Sequence, residues 1–458
     1  MATVTLASEL ARQAFARAAG GPLIPGNRVR LLKDAQENYP AWLEAIAKAR
    51  HRVHFESYII HDDDVGRQFA AALCERARHG VRVRVLYDWW GCFNTAGRSY
   101  WQSLRAAGVE VRAYNPPRLG GPLRLLSRDH RKMVCVDSEV GFVSGLCVGQ
   151  MWLGDPSRGL EPWRDTGIEL RGPAVAELEA AFAELWGGEG APLEGDPPVT
   201  LAPRGDAAVH VVASVPSTAG LLPVNELAAT LASERLWLTD AYFVGTTGYM
   251  RALCEAARAG VDVRLLLPGA SDVPVVKPLS RAGYRTLLTA GVRVFEWNGA
   301  MLHAKTAVLD GKLARVGSTN LNPASWFGNC ELDVVVDDVD FSRQLEAQYV
   351  RDLERSTEIV LAEGEVKDRQ PAARPHASGR SASAGALRLG NTLGAVVTRR
   401  RVLEPVEGRL LLAVSAVLAA LAGLAALFPR VSAGLAAIVL GWFALAVAWR
   451  GIAAMRTR

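Results

Sequence analysis

The chain has 458 residues, about half of them hydrophobic, and a formal net charge of +5. This length is sufficient for two or three domains, each with its own core, and so small a net charge argues against a nucleic-acid-binding surface along the whole chain. The six cysteines are scattered and form no C-x-x-C pair, which argues against a structural zinc site and favours a reducing compartment.

Residues 1–24 form the first predicted segment, an amphipathic helix. Leu6, Leu10 and Phe15 provide an apolar face, but Glu9 and Arg12 interrupt it, so the uninterrupted apolar core of a signal peptide is missing. We expect this helix to pack on the first domain. An interfacial membrane helix is the alternative.

The region from 25 to 362 contains one pattern twice. Residues 72–86 match residues 252–266 at most positions, and Ala107-Gly108-Val109 matches Ala290-Gly291-Val292. The repeat predicts a duplicated domain, at 25–190 and 205–362. In the first copy we expect strands over 53–60 and 81–87 with a helix over about 65–79. Such alternation indicates an α/β fold, with two domains that are each a mostly parallel sheet flanked by helices.

A second motif pair carries the chemistry. His130, Lys132 and Asp137 form an H-x-K-x4-D pattern, which returns as His303, Lys305 and Asp310. Each pattern lies in strand-like sequence, where positions i and i+2 share a face, so each histidine stands beside its lysine. An imidazole can attack phosphorus or move protons, and an ammonium group can neutralise a phosphate oxygen. Two copies provide the nucleophile and the separate acid that two-step phosphoryl transfer without a metal requires.

Each motif aspartate has the opposite parity and falls in a turn. Asp137 and Asp310 are therefore expected to orient an imidazole that arrives from elsewhere. After each motif a hairpin is predicted, with second strands at 141–144 and 313–317. Gly317-Ser318-Thr319-Asn320 closes the second hairpin, and its backbone, hydroxyl and amide groups suit a phosphate pocket.

A metal site is the alternative for another histidine cluster. His51, His54 and His61 lie near Asp62-Asp63-Asp64. In a strand His51 and His54 face opposite sides, and Asp64 suits the N-cap of the next helix. We therefore expect no metal and no other cofactor.

The last hundred residues have a different composition. Residues 363–406 are rich in Ser, Gly, Pro, Ala and Arg and predict a flexible basic linker. Two charge-free apolar runs follow at 410–428 and 431–449, within a predicted transmembrane helical hairpin at 407–452. Arginines precede and follow the pair, which places both ends and the catalytic region in the cytoplasm by the positive-inside rule. A buried helical hairpin of a soluble domain is the alternative.

Together these motifs resemble the phospholipase D superfamily, whose signature is the doubled H-x-K-x4-D with a downstream Gly-Ser-x-Asn. The resemblance covers about residues 25–360 and is strongest to bacterial cardiolipin synthases. Their pattern is similar to the following segments: Glu56-Ser57-Tyr58-Ile59, Asp88 with Gly91, Trp163-Arg164-Asp165-Thr166, Tyr242-Phe243, residues 301–305, and residues 317–321 with Asn329 and Glu331.

The resemblance implies a phosphatidyltransferase that acts through a phosphohistidine. It implies His130 as nucleophile and His303 as acid and base, although the symmetry of the sequence leaves their order open. Lys132, Lys305 and Asn320 would hold phosphate oxygens, and Asp137 and Asp310 would fix tautomers across the domain interface. The implied substrate-binding set is Ser144, Gly145, Gly317, Ser318, Asn320 and Glu331.

The implied partners are phospholipids, with phosphatidylglycerol as both donor and acceptor, and the cytoplasmic membrane; neither a nucleic acid nor a particular protein partner is predicted. Hydrolysis to phosphatidic acid is the main alternative, because water can replace the acceptor alcohol. A nuclease would need a basic stripe along the motifs, and a non-enzymatic scaffold would tolerate loss of a His or Lys. Two features depart from the family pattern: Cys147 stands where the second copy has Asn320, and the predicted hairpin follows the catalytic region.

Overall fold

The computed structural model describes residues 6–117, 127–193, 201–216, 218, 220–273, 276–361 and 400–402. The first half contains the strands β1 (Ile24–Lys33), β2 (Arg52–Ser57), β3 (Arg82–Asp88), β4 (Glu110–Tyr114), β5 (Lys132–Val136), β6 (Val140–Ser144) and β7 (Thr166–Arg171). Its helices are α1 (Leu6–Ala19), α2 (Asp34–Lys48), α3 (Asp64–Arg78), α4 (Arg98–Ala106), α5 (Gln150–Leu153) and α6 (Val175–Gly188).

The second half contains the strands β8 (Ala207–Ser214), β9 (Arg235–Thr239), β10 (Asp262–Pro268), β11 (Arg293–Trp297), β12 (Thr306–Leu309), β13 (Leu313–Gly317), β14 (Glu331–Asp337), β15 (Ser356–Val360) and β16 (Arg400–Val402). Its helices are α7 (Leu222–Leu231), α8 (Thr247–Arg258), α9 (Val276–Ala282), α10 (Tyr284–Ala290) and α11 (Val339–Glu354). β16 lies within the segment predicted to be a linker and pairs parallel with β15.

Local sequence explains why each repeat begins as it does. β2 is buried at every position, as expected for a strand covered on both faces. α3 begins after Asp63, whose carboxylate accepts the N–H of Gly66 at 2.9 Å, so the N-cap is one residue earlier than predicted. Gly80 and Gly260 follow α3 and α8 with φ of +83° and +98°, a conformation that glycine adopts without strain.

The sheet is continuous through both halves. Among the described residues its order is β16-β15-β11-β10-β9-β12-β13-β14-β8-β1-β7-β6-β5-β2-β3-β4. β1 and β8 pair antiparallel at the centre and join the two copies. The α/β fold and the duplication predicted from the sequence are confirmed.

The prediction of mostly parallel sheets was wrong. Among the strands that the structure describes, parallel pairing is confined to β2–β3–β4, β9–β10–β11 and β15–β16, and the remaining strand pairs are antiparallel. The βα units account for the first two parallel sets. The strands that carry the H-x-K motifs are each joined to the next strand by three residues, and so short a connection allows only antiparallel pairing.

The two halves share a core between them. It contains Met133 and Leu178 from the first half and Val308, Val316 and Phe341 from the second half, all nearly inaccessible to solvent. A packed core of this kind holds the halves in one relative position. The ends of β5 and β12 are thereby fixed with respect to each other.

The N-terminal helix packs on the second half, not on the first half as predicted. Phe15 and Ala19 of α1 are buried in the core that contains Leu221 of the α7 segment and Leu236 of β9. The reason is topological, because β1 follows α1 directly and pairs with β8 at Ile24. The chain therefore starts beside the second copy.

No helix in the described ranges is both long and apolar enough to span a bilayer. The predicted transmembrane hairpin at 407–452 lies outside the described residues, as does most of the predicted linker at 363–406. All six cysteines are free and buried.

Candidate active site

Each motif histidine is anchored on the other half of the molecule by its own backbone. His130 precedes β5, and its N–H donates to the carbonyl of Cys330 at 2.9 Å. His303 precedes β12, and its N–H donates to the carbonyl of Arg164 at 2.7 Å. The two motifs therefore meet at the junction between the copies.

The imidazoles are oriented by carboxylates that also come from the opposite half. His130 Nδ1 lies 2.9 Å from Glu331 Oε2, and His303 Nδ1 lies 2.8 Å from Asp165 Oδ2. Both carboxylates are inaccessible to solvent. Because a carboxylate accepts, Nδ1 carries the proton in each ring and Nε2 keeps its lone pair.

Glu331 and Asp165 occupy equivalent positions in the duplicated fold. Ser144 pairs with Gly167 at the end of one hairpin, and Gly317 pairs with Asp333 at the end of the other. Asp165 lies two residues before Gly167, and Glu331 lies two residues before Asp333. The two halves thus exchange carboxylates symmetrically.

The role predicted for Asp137 and Asp310 was wrong. Asp137 accepts the backbone N–H groups of Arg50, His51 and Arg52, each at 2.8 Å. Asp310 accepts those of Ser233, Glu234 and Arg235 at 2.8–3.0 Å. Both residues are in turns, as predicted, but at the ends of β5 and β12 remote from the histidines, where they fasten the hairpins to β2 and β9.

Burial sets the protonation state of the site. Burial lowers the pKa of His130 to about 4, and burial together with the charge of Lys305 lowers that of His303 to about 4. Burial alone would raise the pKa of Asp165 and Glu331, but the hydrogen bonds from the adjacent imidazoles together with the charges of Lys305 and Lys132 outweigh it and hold both pKa values below their usual range. At neutral pH the free site therefore contains neutral imidazoles and ionised carboxylates.

The lysines lie behind the histidines. Lys132 and Lys305 are 1% and 0% exposed, and each Nζ donates to the carbonyl of its own motif histidine. The Nζ atom of Lys132 lies 5.2 Å from the centroid of the Tyr58 ring, and the Nζ atom of Lys305 lies 5.8 Å from the centroid of the Tyr242 ring. Burial and the charge of Lys132 lower the pKa of Lys305, to about 8.

Both imidazoles line one cavity of about 520 Å³. Its walls also include Tyr58, Ile59, His61, Thr95, Arg128, Cys147, Met151, Trp152, Trp163, Tyr242, Asp272, Val273, Val276, Asn320, Asn322, Ala324, Ser325 and Asn329. Aromatic rings crowd one imidazole, with the centroid of His303 at 5.5 Å from Trp163 and 5.8 Å from Trp152 and from Tyr242. Convergence on one cavity is the arrangement that the paired motifs predicted.

The predicted substrate-binding residues divide into two groups. Asn320 lines the cavity, whereas Ser144, Gly145, Gly317, Ser318 and Glu331 form the wall behind it. A Cβ on Gly145 would lie 2.2 Å from Asp165 Oδ1, so only glycine allows that carboxylate to approach. Ser318 Oγ donates to Glu331 Oε2 at 2.5 Å. Gly145 and Ser318 therefore help to position the two carboxylates that hold the histidines.

The two half-sites differ at one equivalent position. Cys147 of the first copy and Asn320 of the second both line the cavity. The side-chain nitrogen of Asn320, Nδ2, makes only a long contact of 3.5 Å with Ser325 Oγ among the described residues, and this N–H group can donate to an oxyanion. A thiol is a much weaker donor.

Sequence reasoning did not assign a role to Asp165 or to the aromatic residues of the cavity. Asp165 belongs to the Trp163–Thr166 segment that resembles the family pattern. Alignment of the two copies would have paired it with Glu331, because Asp165 immediately precedes β7 and Glu331 is the first residue of the equivalent strand β14. That alignment is the signal that could have found it.

Known proteins share this architecture. A profile described as "Cardiolipin synthase, PLD-like domain" matches residues 42–186 and 228–353, more than half of the chain. The chain belongs to the cardiolipin synthase family. The sequence-based assignment to the phospholipase D superfamily and to an enzyme of the cardiolipin synthase type is confirmed.

Relatives of this cardiolipin synthase family member come from several bacteria. Cardiolipin synthase A of Pseudomonas aeruginosa is 38% identical over 356 residues, which cover 76% of this chain and 71% of the relative. Cardiolipin synthase of Alkalihalophilus pseudofirmus is 34% identical over 347 residues, which cover 74% of this chain and 68% of the relative. Among solved structures, phosphatidylserine synthase of Haemophilus influenzae has the same fold, with a TM-score of 0.61, 13% identity, and coverage of 76% of this chain and 92% of that chain.

Proposed function

We propose that this family member transfers a phosphatidyl group from one phosphatidylglycerol to a second, with release of glycerol, and so forms cardiolipin. The observation that carries the proposal is the pair of imidazoles on one cavity, each held by a buried carboxylate from the other half. A neutral imidazole oriented through Nδ1 is a nucleophile at Nε2, and a second one can act as acid and base.

In the first step Nε2 of His130 attacks the phosphorus of the donor. A nitrogen–phosphorus bond forms, and the bond from phosphorus to the glycerol headgroup oxygen breaks. The leaving oxygen takes a proton from Nε2 of His303. The anionic phosphodiester raises the pKa of His303 when it binds, because a nearby negative charge favours the imidazolium form.

In the second step His303 acts as a base. It takes the proton of a hydroxyl on the second phosphatidylglycerol, whose oxygen attacks phosphorus as the bond to His130 breaks. Lys132, Lys305 and Asn320 stabilise the charge that develops on the non-bridging oxygens, in a site largely closed to water where such interactions are strong. Both histidines return to their initial state.

We further propose that the enzyme is held at the cytoplasmic membrane by the apolar runs at 410–428 and 431–449, with both catalytic halves in the cytoplasm. The arginines on either side of the runs support that orientation. A lipid substrate agrees with the aromatic lining of the cavity, because tyrosine and tryptophan rings contact acyl-glycerol surface readily.

Labelled phosphatidylglycerol distinguishes transfer from hydrolysis. With label in the headgroup glycerol and in the acyl chains, the reconstituted full chain should release free glycerol and accumulate cardiolipin in a ratio of one to one. The variant His303→Ala serves as the inactive control. Accumulation of phosphatidic acid without cardiolipin would contradict the transferase and establish water as the acceptor.

A further inference from the structure

Large apolar side chains that remain exposed are concentrated around the catalytic cavity. In the part of the chain that the structure describes, six exposed residues belong to segments that also contribute to the cavity wall or adjoin it; we call this set the apolar rim. It consists of Trp90, Phe93, Leu160, Val273, Leu279 and Phe327. Single exposed apolar residues are ordinary, but an exposed aromatic cluster such as Trp90 with Phe93, on a segment that also lines the cavity, suits an interaction site.

The largest part of the apolar rim is one aromatic loop after β3. Trp90 and Phe93 are 62% and 60% exposed, and their ring centroids lie 6.4 Å apart in a stacked arrangement. Trp89 contacts both rings, with centroid distances of 6.3 Å to Trp90 and 5.0 Å to Phe93. The three rings form one surface and point away from the core.

The loop holds these rings in a fixed position. Gly91 donates its N–H to Asp88 at 2.8 Å, and a Cβ on Gly91 would lie 2.3 Å from the carbonyl oxygen of Tyr58. Thr95, which lines the cavity, donates its hydroxyl to the carbonyl of Ile60 at 2.8 Å. The exposed rings are thus coupled rigidly to the wall of the catalytic cavity.

The second copy completes the apolar rim at an equivalent place. The segment after β10, the counterpart of β3, carries Val273 and continues into α9 with Leu279, which are 38% and 44% exposed. Val273 also lines the cavity. Phe327, 46% exposed, lies in the π-helical turn Ala324–Gly328, whose first two residues line the cavity. Both halves therefore carry exposed apolar side chains on segments that contribute to the cavity wall.

We infer that the apolar rim seats the enzyme on the surface of a lipid bilayer, with the catalytic cavity open to the headgroup layer. The inference rests on the proposed lipid substrate. A phosphodiester can then reach the imidazoles while its acyl chains stay in the membrane. Tryptophan and phenylalanine suit the occupant, since aromatic rings favour the boundary between headgroups and acyl chains. The rim shares its segments with the cavity that would take the lipid phosphodiester, and this favours a bilayer over a second copy of the chain.

The buried cysteines make a direct test possible. All six native thiols are buried, so a cysteine introduced at an exposed position reacts selectively with an environment-sensitive fluorophore. We would label Phe93→Cys in the full chain, with Val350→Cys as the matched control. Val350 is exposed at 43% on α11, outside the cavity wall. Both labelled proteins are reconstituted in vesicles of phosphatidylglycerol and phosphatidylethanolamine.

The fluorophore at position 93 should shift to shorter wavelength in vesicles and be quenched by nitroxides on the upper acyl chain. The fluorophore at 350 should show neither effect. An equal response at both positions, or no response at 93, would overturn the inference. A shift at 93 in lipid-free detergent that grows with protein concentration would overturn it in favour of a second copy.

An activity measurement adds an independent readout. The double variant Trp90→Ser and Phe93→Ser should lose about tenfold activity on vesicles, since about 1.4 kcal/mol of lost interfacial binding corresponds to that factor. It should retain activity on short-chain phosphatidylglycerol dissolved as monomers. Equal losses of activity on vesicles and on monomers would show that the loop acts in the catalytic site, and this would overturn its role in membrane binding. The fluorescence test requires no turnover, so it stands or fails separately from the proposed reaction.

Discussion

The two half-sites are alike in how they hold a histidine and different in how they can hold an oxyanion. His130 and His303 have the same backbone anchoring and the same type of buried carboxylate partner from the opposite copy. At the equivalent wall position, however, one copy presents the thiol of Cys147 and the other the amide of Asn320. The two half-sites thus orient their imidazoles in the same way, but only the second half has an amide at that position that can donate to an oxyanion.

A second difference concerns the electrostatics of the lysines and carboxylates. Glu331 accepts a hydroxyl hydrogen bond from Ser318, whereas Asp165 accepts the backbone N–H of Thr166 at 2.7 Å. Burial lowers the pKa of Lys305 to about 8. Two halves with the same motif therefore give unequal environments, which is what distinct roles for the two histidines require.

Replacement of either histidine should have the largest effect. His130→Ala and His303→Ala should each reduce turnover by roughly 10³-fold or more, because nucleophile and acid/base act as a unit. Circular dichroism should show an unchanged fold.

Acid-free quenching with labelled substrate then distinguishes the two variants. A phosphohistidine should be trapped in wild type and not in His130→Ala. Near-normal turnover in either variant would refute the paired mechanism, and trapping in His130→Ala but not in His303→Ala would reverse the assigned roles.

The exchanged carboxylates come next. Asp165→Asn and Glu331→Gln keep the size of the side chain but favour the wrong tautomer, so each should reduce turnover by about 10²- to 10⁴-fold, as loss of a histidine-orienting carboxylate does elsewhere. Steady-state kinetics should show the loss in kcat more than in KM. The matched control is Asp137→Asn, which should affect thermal stability more than turnover. A larger loss of turnover in Asp137→Asn than in Asp165→Asn would restore the role that the sequence predicted.

The difference between Cys147 and Asn320 can be tested by exchange. Asn320→Cys should reduce turnover by about 10- to 100-fold, because a hydrogen bond to a charged group contributes about 1.5–3 kcal/mol. Cys147→Asn should change turnover only a few-fold, since the first half already works without an amide. Initial rates on phosphatidylglycerol vesicles measure both. Equal effects of the two substitutions would show that the half-sites stabilise the oxyanion equally.

The smallest effect is a shift in the pH profile. Lys305 with a pKa of about 8 in the free site loses its charge as pH rises through that value, so kcat/KM, which reports the free enzyme, should fall by about tenfold for each pH unit above it. Arginine stays protonated throughout this range, so Lys305→Arg should move the alkaline limb to higher pH at a reduced plateau. Lys132→Arg is the control and should leave the limb in place. If the alkaline limb of the pH profile stays in place in the Lys305→Arg variant, deprotonation of Lys305 does not cause it.

Local periodicity was sufficient to predict the elements that carry the motifs. The i, i+2 spacing placed each lysine beside its histidine, and the parity of Asp137 and Asp310 correctly placed both in turns. The residues that orient the imidazoles could not be found in this way, because they are 201 and 138 positions away in sequence. Only the topology of the whole sheet brings such distant segments together.

Strand direction shows the same limit. The repeat of strand, helix and strand predicted parallel pairing, and β2–β3–β4 and β9–β10–β11 follow it. The motif hairpins pair antiparallel, as predicted from their short turns. Nothing in the residues of β5 and β12, however, states that these strands also pair antiparallel with β2 and β9. The packing side of α1 was also predicted wrongly, because it depends on the contact between β1 and β8. These features are set by long-range pairing and not by local preference.

The carboxylates exchanged between the halves have a consequence for how such a protein can diverge. In a chain with a single copy, the histidine would lack a carboxylate such as Asp165 or Glu331 from an opposite half. Such a chain could work only as a symmetric dimer, in which a substitution in the gene changes both half-sites at once. Fusion of two copies into one gene removes that constraint. The thiol opposite an amide in the present cavity is the kind of unequal change that becomes accessible only after such a fusion.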